Sequence, residues 1–384
     1  MDFDLNDDQR LIKESLEKLL AARYGDFAKR DGYMKQADGF DRAVWADYAE
    51  TGILALPLPE AHGGFGGGPV DTMLVMEELG RALAIEPYLT AIVLCGGLIA
   101  RGASEPVKAE LLPKIAAGEA ILALAQVERG SRFDLHDVSL SARQDGDHYV
   151  LEGEKSVVIG GGAADYFIVT ARTSGQRRDA AGITLFLVDA RSPGVSRRSY
   201  PTQDGYQGAE VSFGQVRVPA SAIIGGLDQG LPLLRRSVDE AIAGLCAEAV
   251  GAMAALTEMT IDYLKTRKQF GVAIGSFQAL QHRAVDMQVQ LEQARSMAIF
   301  ATLSVDADDA TARSQAVSAA KVQIGRAARF IGQTATQLHG GIGVTQEYKG
   351  GHYFKRLTMI DQMFGDSEHH LRQFAAAGGQ LPAA

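Results

Sequence analysis

The hydrophobic period of this chain changes twice, and that double switch restricts the folds open to it. Asn6 can cap a helix whose third position is Gln9, a variant capping box. Leu11, Ile12, Leu16, Leu19 and Leu20 then recur at helical spacing, and further helical stretches run to about Ala117. From about Ile121 short runs rich in β-branched and aromatic residues take over, at 148–151, 166–170, 183–188 and 211–218. Asp145-Gly146-Asp147, Gly160 to Gly162 and Ser192-Pro193-Gly194 punctuate them. No long helical pattern intervenes, so an antiparallel sheet or small barrel is expected rather than a Rossmann unit. After Leu231 the helical period returns in four long segments, 231–267, 277–305, 309–338 and 346–377, rich in Ala and Leu. Helices of that length with small residues for close approach predict a four-helix bundle. The expected class is α+β, mostly α: a helical N-terminal domain (1–120), a middle antiparallel β-domain (121–222) and a C-terminal four-helix bundle (223–384).

A chain of 384 residues has room for such a division into two or three packed domains. Its net charge of −9 gives a nucleic-acid role no global electrostatic support. Arg197-Arg198 and Arg235-Arg236 are short enough to read as solvated surface or local ion pairs. Cys95 and Cys246 lie far apart in apolar helical contexts, which predicts buried reduced thiols rather than a disulfide or metal site. His369-His370 is a poor metal motif, because adjacent helical residues diverge. The acidic opening lacks an apolar signal-peptide core, and no uncharged apolar run reaches membrane-spanning length, so a cytoplasmic enzyme is expected. The glycine run from Gly63 to Gly68 fails as a phosphate loop: Pro57 and Pro59 interrupt the preceding segment, and no Lys-Ser/Thr follows.

Two C-terminal motifs carry more information. Arg267-Lys268-Gln269-Phe270-Gly271, with Phe277-Gln278 and Gln281-His282 after it, resembles the nucleotide-binding signature of acyl-CoA dehydrogenases. Gln337-Leu338-His339-Gly340-Gly341-Ile342-Gly343 resembles a second signature of the same family. Glu78-Leu79-Gly80-Arg81 and the Val216-Arg217-Val218-Pro219 exit from the β region add to the likeness, which runs along almost the whole chain. The opening Met1 to Leu5 and the loop from Gly63 to Pro69 look most like small subunits of bacterial heteromeric members, of the pimeloyl-CoA dehydrogenase type.

The resemblance implies FAD held at a subunit interface, one chain taking the isoalloxazine and its neighbour much of the ADP half. It implies a carboxylate that removes the substrate α-proton while the β-hydrogen leaves as hydride to the flavin. On this likeness Arg267 would pair with the pyrophosphate, where a planar guanidinium fork suits phosphate oxygens. Phe270 would pack beside the nucleotide and Gln278 would hydrogen-bond it. Gln337, Gly340 and Gly341 would let the backbone approach the cofactor's other end. Plainer readings exist for each residue alone: Arg267 as a cation at a helix C-terminus, and Gly340-Gly341 as a helix cap.

Elsewhere the chain departs from the family. The family's Val-Thr-Glu-Pro-Gly-x-Gly-Ser-Asp segment aligns with 126–134, putting Val127 at a flavin-binding hydroxyl, Arg132 at a glycine and Phe133 at a serine. The family's Trp-Ile-Thr-Asn run becomes Val157-Val158-Ile159-Gly160. The base itself falls on Gly365, which has no side chain, and Ala377 replaces an arginine common in the family. Some members carry their base on the first bundle helix, at a position matching Ala241; Glu240 is one residue away and so turned by about 100°. Asp366 and Glu368 beside Gly365 suit a helix start. These residues together imply the subunit of a heteromeric dehydrogenase that lacks the base and completes a homologous partner's FAD site. An acyl-CoA thioester is the expected substrate, and an electron-transferring flavoprotein the acceptor the family suggests. Two alternatives stay open: a self-sufficient homotetramer with its base relocated to Glu240, and a flavin-free scaffold that binds acyl-CoA.

Overall fold

Residues 5–379 are described by a computed structural model. The capping box at Asn6 forms, its side chain accepting from the Gln9 amide at 2.8 Å, and starts α1 (Asp7–Tyr24). Then come α2 (Phe27–Met34), α3 (Arg42–Glu50) and α4 (Pro69–Ala82), a buried π-helix at Tyr88–Gly96, α5 (Gly97–Gly102) and α6 (Glu105–Ala116). The β region contains β1 (Leu122–Ala125), β2 (Ser141–Asp145), β3 (His148–Lys155), β4 (Tyr166–Arg172), β5 (Ile183–Asp189), β6 (Val195–Pro201), β7 (Gln207–Pro219) and β8 (Ile223–Ile224). The long helices are α7 (Gly230–Thr266), α8 (Gln278–Ser304), α9 (Ala310–His339), α10 (Lys349–Gln362) and α11 (Ser367–Ala376), with the short strands β9 (Lys268–Gln269) and β10 (Val272–Ala273) between α7 and α8.

By contact density the chain divides into two compact units, one of residues 1–30, 73–84 and 242–384, the other of residues 31–72 and 85–241. The second unit holds the sheet, ordered β6-β7-β3-β2-β4-β5-β8. The sheet is mixed, where the lack of intervening helices had implied an antiparallel sheet or small barrel. β1 runs parallel to β4 from Leu122↔Tyr166 to Ala125↔Val169, and β2 touches β4 in parallel at Ser141↔Arg172. Phe167, Val169, Phe186, Val211 and Phe213 fill its core.

In the first unit α9 packs against α8, α10 and α11. The fourth expected bundle helix is broken in two. Met363 is extended (ψ 132°), Phe364 and Gly365 have positive φ, and Asp366 starts α11 by accepting from the His369 amide at 2.8 Å. The Glu78 to Arg81 motif also finds its reason here. A Cβ on Gly80 would meet the Glu248 carbonyl, and one on Gly251 the Glu77 carbonyl, so α4 and α7 cross backbone to backbone at two glycines. By length and apolarity α7 passes as a membrane span, but 83% of its most apolar window is buried within the protein. It is a core helix. Cys95 and Cys246 are both free and buried.

Candidate functional site

The first motif folds into a two-residue hairpin. Lys268 pairs with Ala273 and Gln269 with Val272, and the loop residues Phe270 and Gly271 have φ of +55° and +82°. Positive φ at both positions is the primed turn that matches strand twist, and Asn-Gly or Gly-Gly is its normal sequence. A phenylalanine there is strained, and its ring is 90% exposed, touched edge-on by Phe277 at 6.1 Å. The arrangement is costly in an isolated chain and makes sense at a surface that something covers. The hairpin is closed by the Ile274 amide donating to the Arg267 carbonyl at 2.8 Å, and the chain passes within a few residues into α8 at Gln278. Among the described residues the Arg267 guanidinium and the Gln278 amide make no side-chain hydrogen bond, and both are exposed.

Gln278 also begins a second, interrupted apolar stripe on α8. Met287, Leu291, Ala294, Ala298 and Ala301 are buried on one side, while Val285, Val289, Phe300 and Leu303 are exposed on the opposite side. The exposed set follows the spacing i, i+4, i+15, i+18 and so lies on one face, two turns on from Gln278. Glu292 and Ser296 fall on the same face between Val289 and Phe300, so it carries an apolar pair toward each end rather than an unbroken stripe.

The second motif ends α9. Gly340 has φ +64° and its amide donates to the Gln337 and Thr336 carbonyls, so the glycine-cap reading of this residue holds. A Cβ on Gly340 or Gly341 would meet nothing, so the backbone there is open on that side. Gln337 is exposed and, among the described residues, without a side-chain hydrogen bond. Behind the turn the His339 ring is buried against Tyr263 and Tyr348, at 4.7 and 4.9 Å. Sequence reading missed this residue, whose apolar setting only the fold reveals.

The turn at the expected base position is closed. Gly365 has φ +117°, and a Cβ built on it lies 2.6 Å from His369 Cδ2 and 2.8 Å from His370 Nε2. Beneath it the Lys321 ammonium, wholly buried, donates to the carbonyls of Ile360 (2.8 Å), Asp361 (2.9 Å) and Gly365 (2.8 Å). Burial pushes the Lys321 pKa down to about 8. His370 bridges Ser318 and the Phe364 carbonyl, each at 3.1 Å, and burial together with Lys321 and His369 lowers its pKa to about 3. Asp366 is the helix cap that its sequence position had implied. We expect Gly365→Ala to cost about 1–3 kcal/mol of stability, read as a lower thermal midpoint, because it puts a side chain into glycine-only backbone. Gly365→Glu should cost at least as much and restore no proton abstraction.

Glu240, the alternative base, is engaged. Its carboxylate accepts from Arg101 and, at 3.2 Å, from Arg236, while Arg101 also donates to Ser237 at 3.0 Å. The acid buried on the face of Ala241 is instead Glu248, two turns along α7, and it is held bidentately by Arg356 at 2.5 and 2.7 Å. The i+7 spacing from Ala241 was visible in the sequence; the partner 108 residues away was not.

In the β unit the 126–134 loop is tied both to itself and to the neighbouring strands. Ser131 Oγ accepts from the Glu128 amide and donates to the Glu128 carbonyl, both at 3.0 Å. The Glu128 carboxylate takes Lys155 (2.7 Å) and the Ser139 and Leu140 amides (2.8 and 3.0 Å). Burial disfavours that carboxylate, but Lys155 and the hydrogen bonds outweigh it and hold its pKa below the ordinary range. Arg132 (φ +49°) and the β-branched Val157 (φ +52°) both sit in left-handed backbone. Bulk and strain thus stand where the family resemblance places contacts to a flavin ring. Among the described residues no cluster of His, Cys, Asp and Glu could hold a metal ion.

Comparison with known proteins gives matches along the chain. Family models described as acyl-CoA dehydrogenase N-terminal, middle and C-terminal domains match residues 6–119, 123–217 and 228–379. A probable acyl-CoA dehydrogenase of Bacillus subtilis, YngJ, is 30% identical over 379 residues, covering 96% of this chain and 97% of that one. Among solved structures, the ChsE4-ChsE5 complex from Mycobacterium tuberculosis contains a chain similar to this one at TM-score 0.88 and 27% identity, with 100% of each chain covered. A variant of the steroid ACAD Tcur3481-Tcur3483 matches at TM-score 0.87 and 26% identity, over 96% of this chain and 97% of that one.

Proposed function

The chain belongs to the acyl-CoA dehydrogenase family, and from that premise we propose that it is the subunit of a heteromeric FAD-dependent enzyme that lacks the catalytic base and completes a homologous partner's FAD site. The observation that carries the reading is the hairpin: a strained, outward-facing Phe270 beside the unengaged side chains of Arg267 and Gln278. Those donors, with Gln337 and the open backbone at Gly340 and Gly341, fit the phosphate and ribose half of the cofactor. The exposed apolar pairs Val285–Val289 and Phe300–Leu303, on the Gln278 face of α8, fit a subunit contact. Val127, Arg132, Phe133 and Val157 do not fit the flavin ring.

When bound, FAD supplies the acceptor for the β-hydride of the acyl-CoA thioester. This chain's part is to bind and orient. Arg267 would neutralise and position the pyrophosphate, Phe270 would cover the nucleotide from water, and Gln278 and Gln337 would hydrogen-bond it. Proton abstraction then falls to a carboxylate of the partner, since Gly365 offers none and the carboxylate of Glu240 is spanned by two arginines. The reading includes a bulky acyl group such as a steroid side chain, supported by the likeness to the steroid ACAD. It also includes an electron-transferring flavoprotein as acceptor and a cytoplasmic location.

Flavin content tests it. The purified chain should carry no FAD, and its complex with a co-encoded homologous dehydrogenase subunit should carry one per pair. One FAD per protomer in the isolated chain would overturn the proposal.

A further inference from the structure

We infer that His339 is a positioning residue, a flat wedge that sets the Arg267 hairpin and the Gly340-Gly341 turn at a fixed separation. The inference rests on the reading above that both segments meet one cofactor. Three elements converge on this ring. Tyr263, on α7 one turn before Arg267, packs against it at 4.7 Å with the planes tilted by 35°. Tyr348, the residue that caps the start of α10, meets the ring at 4.9 Å and 53°. The turn that follows α9 folds back over it, so that a Cβ on Gly343 would lie 3.0 Å from His339 Cβ. Arg267 is tied to the same point, its amide donating to the Tyr263 carbonyl at 2.8 Å.

The imidazole is oriented as well as clamped. Nδ1 lies 2.8 Å from the Ala335 carbonyl, which can only accept, so Nδ1 carries the hydrogen and the ring's rotation is set by its own helix. Nε2 is buried and has no hydrogen-bond partner among the described residues. Burial also lowers its pKa, which keeps it uncharged against the two tyrosines. A ligand that must reach both motifs gains most of its affinity from finding them already in register, so an error in their spacing is felt in binding before it is felt in folding.

The experiment compares His339→Phe, which keeps a flat ring, with His339→Ala and His339→Leu, which do not. In the isolated chain, hydrogen exchange should quicken together at 264–271 and 340–345 in the Ala and Leu variants, and stay near wild type in the Phe variant. In the complex with the partner subunit, the FAD dissociation constant should rise at least tenfold for Ala and Leu at temperatures well below unfolding, and less than threefold for Phe. Tyr263→Leu should act in the same direction, which keeps the test open if His339→Ala folds poorly. Wild-type exchange and FAD affinity in the Leu variant would overturn the inference, as would a Phe variant as impaired as Ala. A wild-type complex without FAD would sink the functional reading instead, and the exchange data would still decide the wedge.

Discussion

Arg267→Ala is expected to strip FAD from the complex while leaving the fold of this chain untouched. The two halves of that expectation come from one observation. Among the described residues the Arg267 side chain is exposed and makes no hydrogen bond or ion pair, so truncating it removes nothing from the folded chain beyond a cation at the end of α7. Exposed changes of that kind shift stability by about 0.5 kcal/mol or less. Toward a pyrophosphate the same side chain is worth far more. Hydrogen bonds to charged groups contribute roughly 1.5–3 kcal/mol each, and a guanidinium can make two in parallel, so affinity should fall roughly a hundredfold or further. Arg267→Lys keeps the charge but not the fork and should fall between the two. The measurements are flavin absorbance per pair after gel filtration and a thermal melt of the isolated variant. Full retention of FAD would remove Arg267 from the cofactor site. Loss of FAD with an unchanged melt separates a ligand contact from a structural one.

What the sequence made legible follows the range over which each interaction acts. The long helices were readable because the repeat that buries them is local: α7 and α9 begin and end within two residues of the segments their periodicity marks. The break at Gly365 was not, since the apolar spacing continues from 346 to 377 and a single glycine is tolerated inside a helix. Only the fold, with Lys321 drawing three carbonyls inward from α9, shows why the chain turns there. The parallel pairing of β1 was hidden for a related reason. Leu122 to Ala125 is four apolar residues, and nothing in a strand that short names its partner 44 positions on. At the site, Arg267, Gln278 and Gln337 stood out as a motif, but the strain at Phe270 did not, because positive φ belongs to the hairpin and not to phenylalanine. His339 and Glu248 were the hardest to read. Each looks ordinary on its own helix and gains a role only from residues far along the chain.

The Glu248–Arg356 pair should prove the costliest single place to remove a charge. Both side chains are about 4% exposed, α7 supplies one and α10 the other, and the two hydrogen bonds of 2.5 and 2.7 Å give the fork-to-fork geometry that compensates two buried charges. Taking away Arg356 strands the Glu248 carboxylate in a low-dielectric interior, a loss of about 3–5 kcal/mol in comparable pairs. Arg356→Met should lower stability to denaturation by that measure, and Glu248→Gln by less, because Arg356 keeps Met363 Sδ at 3.7 Å. The pair's net worth is a separate quantity, because desolvation offsets much of the attraction. A double variant, Glu248→Leu with Arg356→Met, should therefore recover most of the loss, whereas independent contributions would add. The backbone around the pair gives it a second role, because α4 crosses α7 at Gly80 with the Glu248 carbonyl in contact, and Arg356 lies one helix before the Gly365 turn. If the pair sets the register of these helices, the double variant will regain stability yet bind FAD less tightly in the complex. Equal recovery of both would reduce the pair to packing, and additive losses in the double variant would mean that the two charges were never coupled.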